Sequence, residues 1–238
     1  MKSMQDCQAM KRFLPALLLL AVLAACAPST APTERTASVE QLSRAVGFYP
    51  DQAGARWEYL PDNAPVDDPR LIQIVEGPRV VDGRTLVAHL TRGGGAEERK
   101  YRSIASDGVR LYMRSVPGAQ TTFEPPILEF PPAGQLVRGA NWGGTTTAGT
   151  HFPDAQPEFR NETQQIRYRY TVVDRRNVRV PAGTFDVYVI NLVTDQLNEA
   201  GGVSSSLTQE LWYSPYVGEI RTVGGYYLVG LNFQPVYP

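Results

Sequence analysis

From residue 47 to the C-terminus, the chain consists of short runs of aromatic and β-branched residues separated by Gly, Pro, Asn and Asp. Runs of this kind are typical of β-strands joined by turns. Within residues 165–173 (QIRYRYTVV) apolar residues alternate with polar ones, a period that places one face of a strand in the core and the other in water. No stretch beyond the N-terminal leader keeps a helical period over roughly eleven residues. The pattern therefore predicts an all-β chain of antiparallel strands.

Turn residues divide this region into about ten strands. Asp82-Gly83 and Asp107-Gly108 are pairs that favour tight hairpins, so neighbours in sequence become neighbours in the sheet. Residues 47–238 are long enough to bury one sizeable core. We therefore expect a single antiparallel meander sheet, curled into a half-barrel or an open barrel, that forms one domain over residues 47–238.

Residues 122–159 interrupt this pattern with two Pro-Pro pairs and a Gly/Thr-rich stretch. We expect a long irregular Pro/Gly-rich insertion here, because long irregular segments with apolar content often serve as lids or binding loops. Four aromatic residues of this segment are the candidate ligand or lid residues, namely Phe123, Phe130, Trp142 and Phe152. The alternative is a loop that packs over an open end of the sheet.

The N-terminal part carries a separate signal. Lys11 and Arg12 precede an apolar run, residues 13–23, which is shorter than the roughly 20 residues of a membrane-spanning helix. A basic start, a short apolar run and small residues at a cleavage point are the marks of a secretory signal peptide. The run ends in the sequence LAAC at residues 23–26, which resembles the lipobox of bacterial lipoproteins.

That resemblance implies that a signal peptide of residues 1–25 is removed and that Cys26 carries a lipid, through which the protein attaches to a membrane. Met10 is the expected true start, because residues 1–9 add an acidic residue to a region that is normally basic. Residues 26–46 are rich in Ala, Pro, Ser and Thr and form the expected flexible tether.

The residue after the lipid-bearing cysteine bears on localisation. Ala27 stands there instead of the Asp that tends to retain lipoproteins in the inner membrane. The resemblance therefore implies the outer membrane, on its periplasmic leaflet, in a bacterium with two membranes. In a bacterium with a single membrane it implies the outer face of the cytoplasmic membrane.

Composition argues against several classes of function. Removal of residues 1–25 leaves more acidic than basic residues, so there is no basic excess for nucleic acid. Cys26 is the only cysteine of the mature chain, which excludes an internal disulfide and a cysteine metal cluster. His89 lies in an apolar strand, and His151 with Asp154 is too small a set for a metal site. No sequence motif of a serine hydrolase, a zinc protease or a phosphate-binding loop is present. We expect no enzymatic activity and no cofactor.

Three segments resemble a signature of uncharacterised exported bacterial proteins. They are residues 48–59 (FYPDQAGARWEY), 180–185 (VPAGTF) and 212–218 (WYSPYVG). The resemblance implies an open antiparallel sheet curled into a half-barrel, similar to the lipoprotein carriers of the Lol system, and it implies no reaction. From the residues themselves we interpret the last two segments as hairpin devices, in which Pro181 ends one strand, Ala182-Gly183 turns the chain and Trp212 fills a core position.

Two functions follow as hypotheses. The first is a binding module in which the concave face of the sheet holds an apolar ligand such as a lipid. This hypothesis requires a largely apolar concavity, and a filled, dry core would contradict it. The second is a structural or assembly lipoprotein that docks other envelope proteins, which requires an exposed aromatic cluster or an open sheet edge.

Overall fold

A computed structural model describes residues 48–235, which form a twelve-stranded antiparallel β-sheet. The strands are β1 (Arg56–Pro61), β2 (Leu71–Val81), β3 (Arg84–Gly93), β4 (Ala96–Ala105), β5 (Gly108–Val116), β6 (Ala119–Phe130), β7 (Asn141–His151), β8 (Asn161–Val180), β9 (Gly183–Leu197), β10 (Val203–Ser214), β11 (Gly218–Arg221) and β12 (Tyr226–Leu231). Single 3₁₀ turns occupy Ala133–Gln135 and Pro157–Phe159. No helix in this part of the chain is long and apolar enough to cross a membrane. The signal peptide, Met10, Cys26 and the tether lie outside the described residues.

Each strand pairs with the next along the chain, and β1 also pairs with β12, so the sheet closes into a barrel. Trp57 stands opposite Gln73 on one side and Leu231 on the other. The prediction of an all-β antiparallel meander is confirmed. The half-barrel or open barrel is wrong, because both edges of β1 are paired. Alternation within strands gives the buried face of each one, but it carries no information on whether the first and last strands meet.

The long irregular insertion predicted for residues 122–159 is also wrong, because most of this segment belongs to β6 and β7. Gln120 to Glu124 pair with β7 over His151 to Thr147. The Pro-Pro pair at residues 125–126 lies between Thr122 and Ile127 of β6, where the register with β5 shifts. Neither proline has a paired residue on β5 or β7, so the ladder tolerates their missing N–H groups.

The sheet also explains a glycine of β7. A Cβ on Gly143 would lie 2.3 Å from the Tyr168 carbonyl oxygen of β8, so only glycine allows the two strands to approach this closely. Prolines and glycines that indicated a loop are therefore accommodated within a ladder.

One end of the barrel, called the closed end, contains the start of β1 and the β8–β9 and β10–β11 turns. The segment before β1 enters the barrel here and places Tyr49 in the interior, where 6% of it is exposed. Its ring centre lies 5.3 Å from that of Phe130 and 6.2 Å from that of Tyr213. A barrel of about eight strands is just filled by its own side chains, so a twelve-stranded one needs additional groups inside. Tyr49 supplies such a group.

The segments that carry the sequence signature meet at the closed end. The carbonyl oxygen of Phe48 accepts hydrogen bonds from the Tyr213 hydroxyl (2.5 Å) and the Tyr216 N–H (3.0 Å). The Trp57 indole N–H donates to the Val217 carbonyl oxygen at 2.6 Å. These contacts join Phe48 and the start of β1 to the end of β10 and the β10–β11 turn, more than 150 residues away in sequence.

The motif interpretations are only partly confirmed. The predicted turn between β8 and β9 is present, but it lies at Pro181 and Ala182, one residue before the predicted Ala182-Gly183. The Ala182 N–H donates to the Leu228 carbonyl oxygen (3.3 Å). In the second motif Tyr213 is fully buried, whereas Trp212 is half-buried at the margin of the core. The sequence assigned the core position to Trp212, although the adjacent tyrosine on the opposite face of β10 occupies it.

The β10–β11 turn generates a first prediction. Gly218 has φ of +105°, and a Cβ there would lie 3.2 Å from the Trp57 indole nitrogen. We expect Gly218→Ala to lower the free energy of unfolding by about 2–3 kcal/mol in urea titration of the full chain, since it combines backbone strain with a displaced tryptophan. Gly118→Ala is the control, because Gly118 also has positive φ (+78°) but faces open space. Equal losses in the two variants would contradict the close approach.

Candidate functional site

A cavity of about 640 Å³ occupies the barrel interior at the end opposite to the closed end, called the open end. Its volume lies within the roughly 300–1,000 Å³ typical of small-molecule sites. It is lined by Tyr59, Leu71, Gln73, Thr91, Gly93, Gly94, Gly95, Ala96, Glu97, Glu98, Lys100, Val116, Pro117, Glu219, Thr222, Val223, Gly224 and Tyr226. These residues come from the open-end halves of β1 to β5, from β11 and β12, and from the turns between those strands.

The cavity exists because small residues occupy positions where large side chains would fill the barrel interior. The β3–β4 turn and its flanks read GGGA at residues 93–96, and these residues contribute almost no side-chain volume. Gly93 is required by close packing, since a Cβ there would lie 2.3 Å from the Arg70 carbonyl oxygen and its φ is +126°. At the closed end the ring of Tyr49 fills the interior of the barrel, whereas at the open end no side chain of residues 48–235 does so.

The walls of the cavity are largely apolar. Leu71, Val116, Val223 and the ring of Tyr226 face the space from different strands and turns. Deeper in, the Tyr59 hydroxyl donates to the Glu219 carbonyl oxygen at 3.1 Å. Burial raises the pKa of the Tyr59 hydroxyl well above its ordinary value, so the group stays a protonated donor. A ligand in this cavity would meet aliphatic and aromatic walls and a polar floor.

Four charged side chains line the cavity, and three of them have partners. The Lys100 ammonium lies 3.8 Å from a carboxylate oxygen of Glu98, and Arg99 donates to the Glu97 carboxylate at 2.7 Å. Glu219 lacks a hydrogen-bond or ion-pair partner for its carboxyl group among residues 48–235. Burial raises the pKa of this carboxyl, while the positive charges of Lys100 and Arg102 oppose the shift.

Below the cavity floor lies an ion pair in the barrel interior. The Arg102 Nε donates to one oxygen of Glu129 at 2.5 Å and its Nη2 to the other at 3.3 Å, and the Arg102 side chain is 1% exposed. Burial is the largest single influence and would raise the pKa of Glu129, but the charges of Arg102 and Lys100 and the hydrogen bond from Arg102 together hold the pKa below its ordinary value. Both groups are therefore charged, and the guanidinium also lies 5.5 Å from the centre of the Tyr49 ring.

His89 is a buried residue of the core. Its Nε2 lies 3.4 Å from the Pro50 carbonyl oxygen, and its ring packs against that of Tyr49. Burial lowers the pKa of His89 to about 3, with a smaller contribution from the Arg102 charge, so the imidazole is neutral. His151 is exposed and hydrogen-bonds Asn161 through Nδ1 at 2.9 Å. In the part of the chain that the structure describes, no group of three or more His, Cys, Asp or Glu could hold a metal.

The four aromatic residues predicted from sequence do not line the cavity and are not brought together. Phe130 packs on Tyr213 at the closed end, with ring centres 4.4 Å apart. Trp142 stacks on Tyr170 at 5.2 Å. Phe123 packs with a small buried cluster on the β5–β7 part of the wall. Phe152 is half-buried directly after β7. Their role as ligand-binding or lid residues stays a prediction.

The charged residues that the sequence analysis missed include Glu219 of β11 and three residues of β4. Glu98, Lys100 and Arg102 are two residues apart and so share one face, which points into the barrel. The sequence does contain a pattern that indicates this face, namely charged residues at every second position. It was missed because a charged face normally points to solvent, and the partner of Arg102 is 27 residues away in sequence.

Comparisons with known proteins place the chain beside two solved structures. The first is a "putative lipoprotein" from Parabacteroides distasonis, with 13% identity, a TM-score of 0.42, and coverage of 79% of this chain and 99% of the other. The second is a "putative exported protein with YmcC-like fold" from Bacteroides fragilis, with 12% identity, a TM-score of 0.39, and coverage of 79% and 99%. No family profile and no curated protein matches the chain. Similarity at this level does not assign it to a family.

The interior ion pair generates a second prediction. Glu129→Gln leaves the buried Arg102 charge without its counter-ion, so we expect the free energy of unfolding in urea to fall by about 3–5 kcal/mol. The double variant Arg102→Met/Glu129→Met removes both charges and should be clearly more stable than the single variant. If Glu129→Gln unfolded at the wild-type urea concentration, the pair would not be the buried contact described.

The buried histidine generates a third prediction. The folded pKa of His89 (about 3) lies below that of an unfolded histidine, so the unfolded state binds a proton first as the pH falls. Between pH 6.5 and 5, wild type should lose about 1 kcal/mol more stability per pH unit than His89→Gln, as measured by urea unfolding. His151→Gln, which changes an exposed histidine, should keep the wild-type slope. Identical slopes in the wild type and His89→Gln would contradict a buried neutral imidazole.

Proposed function

We propose that this protein is a lipid-anchored envelope protein whose barrel binds a small apolar or amphipathic ligand without catalysing a reaction. The cavity of about 640 Å³ carries this proposal, since it is enclosed by apolar walls and opens at one end of the barrel. A fully packed interior would have contradicted a binding role. The interior is packed at the closed end and hollow at the open end.

The membrane attachment in this proposal rests on the lipobox-like LAAC sequence, with the lipid on Cys26. Residues 26–46 would then tether the barrel within roughly 25 Å of the bilayer surface. The proposed location is the outer membrane of a two-membrane bacterium, on its periplasmic leaflet, and otherwise the outer face of the cytoplasmic membrane. A ligand with an acyl chain suits this setting, because such molecules are abundant at the anchoring surface and insoluble in the water around it.

Docking of other envelope proteins is the second candidate, and one observation favours it. Phe159, in the β7–β8 connection at the open end, is 68% exposed. The other route to docking, an unpaired sheet edge, is closed, since every strand of the described barrel has neighbours on both sides. A single exposed phenylalanine is a smaller basis than a formed cavity, so we favour ligand binding.

A photoactivatable dodecanol that carries a diazirine tests the binding role. The full-length protein in lipid nanodiscs is irradiated with this probe, and mass spectrometry locates the labelled peptides. We expect labels on β2 to β4 and on β11–β12, which line the cavity. Thr91→Phe fills part of the cavity and should lower labelling at these peptides at least about tenfold, the effect of losing most of the buried apolar contact.

Arg92→Phe is the matched control, because it adds the same ring at the next residue of β3, which is exposed and outside the cavity. It should leave the labelling pattern unchanged. Urea unfolding of both variants shows whether each is folded. Labelling spread evenly over the outer surface, or unchanged in Thr91→Phe, would contradict a ligand-binding cavity.

A further inference from the structure

The charges inside the cavity limit the class of ligand, provided that the cavity binds a ligand as proposed. Carboxylates outnumber ammonium groups on its lining, with Glu97, Glu98 and Glu219 against Lys100. Most of this charge is neutralised within the protein. Arg99 holds Glu97, while Lys100 and Arg114 both approach Glu98, at 3.8 and 3.6 Å. Glu219 is left as the acid without a counter-charge of its own.

The nearby cations do not supply that counter-charge. Lys100 is the cationic residue of the cavity lining, and its ammonium is directed to Glu98. Arg102 lies below the floor and makes its two hydrogen bonds with Glu129. Both still lower the pKa of the Glu219 carboxyl, but burial raises it and is the larger effect. A carboxylate in this position is stabilised by a positive charge brought from outside.

The contacts of β11 fix the backbone position of Glu219. On one side of Glu219, Gly218 packs directly against the Trp57 indole, and on the other, Ile220 is completely buried. The Glu219 carbonyl oxygen accepts the Tyr59 hydroxyl at 3.1 Å. These contacts leave β11 little freedom to turn the side chain away. Glu219 lines both the main cavity and a much smaller space beneath it, so it forms part of the floor.

We infer that the ligand is an amphiphile with a single amine, whose ammonium group binds the Glu219 carboxylate while its hydrocarbon part lies against the apolar walls. The ammonium donates a charge-assisted hydrogen bond, which is stronger than a neutral one in a partly desolvated site. An anionic amphiphile such as a fatty acid would instead place its carboxylate beside Glu219 and Glu98. Lys100 is the one lining cation that could bind it, and that residue is already paired.

Competition against the diazirine-dodecanol probe tests the inference on the full-length protein in nanodiscs. Dodecylamine, dodecanol and dodecanoate are added separately, and the concentration that halves labelling of the cavity peptides is compared between variants. Comparison between variants cancels the partitioning of each competitor into lipid. We expect Glu219→Gln to raise the half-blocking concentration of dodecylamine at least about tenfold, the loss of one charge-assisted hydrogen bond. Dodecanol should be unaffected.

Glu76→Gln is the matched control, since it removes a carboxylate that is also held by Arg99 but lies outside the cavity lining. It should leave the dodecylamine value unchanged. Stronger competition by dodecanoate than by dodecylamine in the wild type would overturn the inference, and so would an unchanged dodecylamine value in Glu219→Gln. Those results leave the proposed function intact, provided that dodecanol still competes. Failure of the probe to label the cavity at all would overturn both.

Discussion

A β-barrel of twelve strands encloses more space than the side chains of its own strands readily fill, and the two ends of this barrel resolve that constraint differently. At the closed end the chain before β1 inserts Tyr49, and the Phe48 carbonyl fixes it to the β10–β11 turn. At the open end the strands carry glycine and alanine at the corresponding place, and a cavity results. The packing of the closed end and the cavity at the open end therefore both follow from the width of a twelve-stranded barrel.

Polar groups divide the packed part of the barrel from the hollow part. Arg102 and Glu129 are stable in the interior because each neutralises the other, and the neutral His89 packs beside them on Tyr49. Glu219 stands above this layer without a partner of that kind. A ligand in the proposed site would contact apolar walls along its length and the charged floor at one end. This arrangement favours molecules with one polar end over pure hydrocarbons.

The sequence was informative where the controlling interaction is local. Alternation in residues 165–173 correctly gave buried Tyr168 and Tyr170 beside exposed arginines, and the VPAGTF segment correctly gave a turn. Closure depends on β1 meeting β12, a contact between distant segments that no local pattern encodes. The cavity was missed for a related reason. It is formed by the absence of large side chains at Gly93 to Ala96, and by Glu219, whose neighbours come from other strands.

The position of Phe48 gives the molecule a direction. Phe48 lies at the closed end of the barrel, whereas the cavity opens at the opposite pole. A molecule entering at the open end would therefore reach the cavity without displacing Phe48 or Tyr49. The contacts that hold the closed end together can stay the same whether the cavity is empty or occupied.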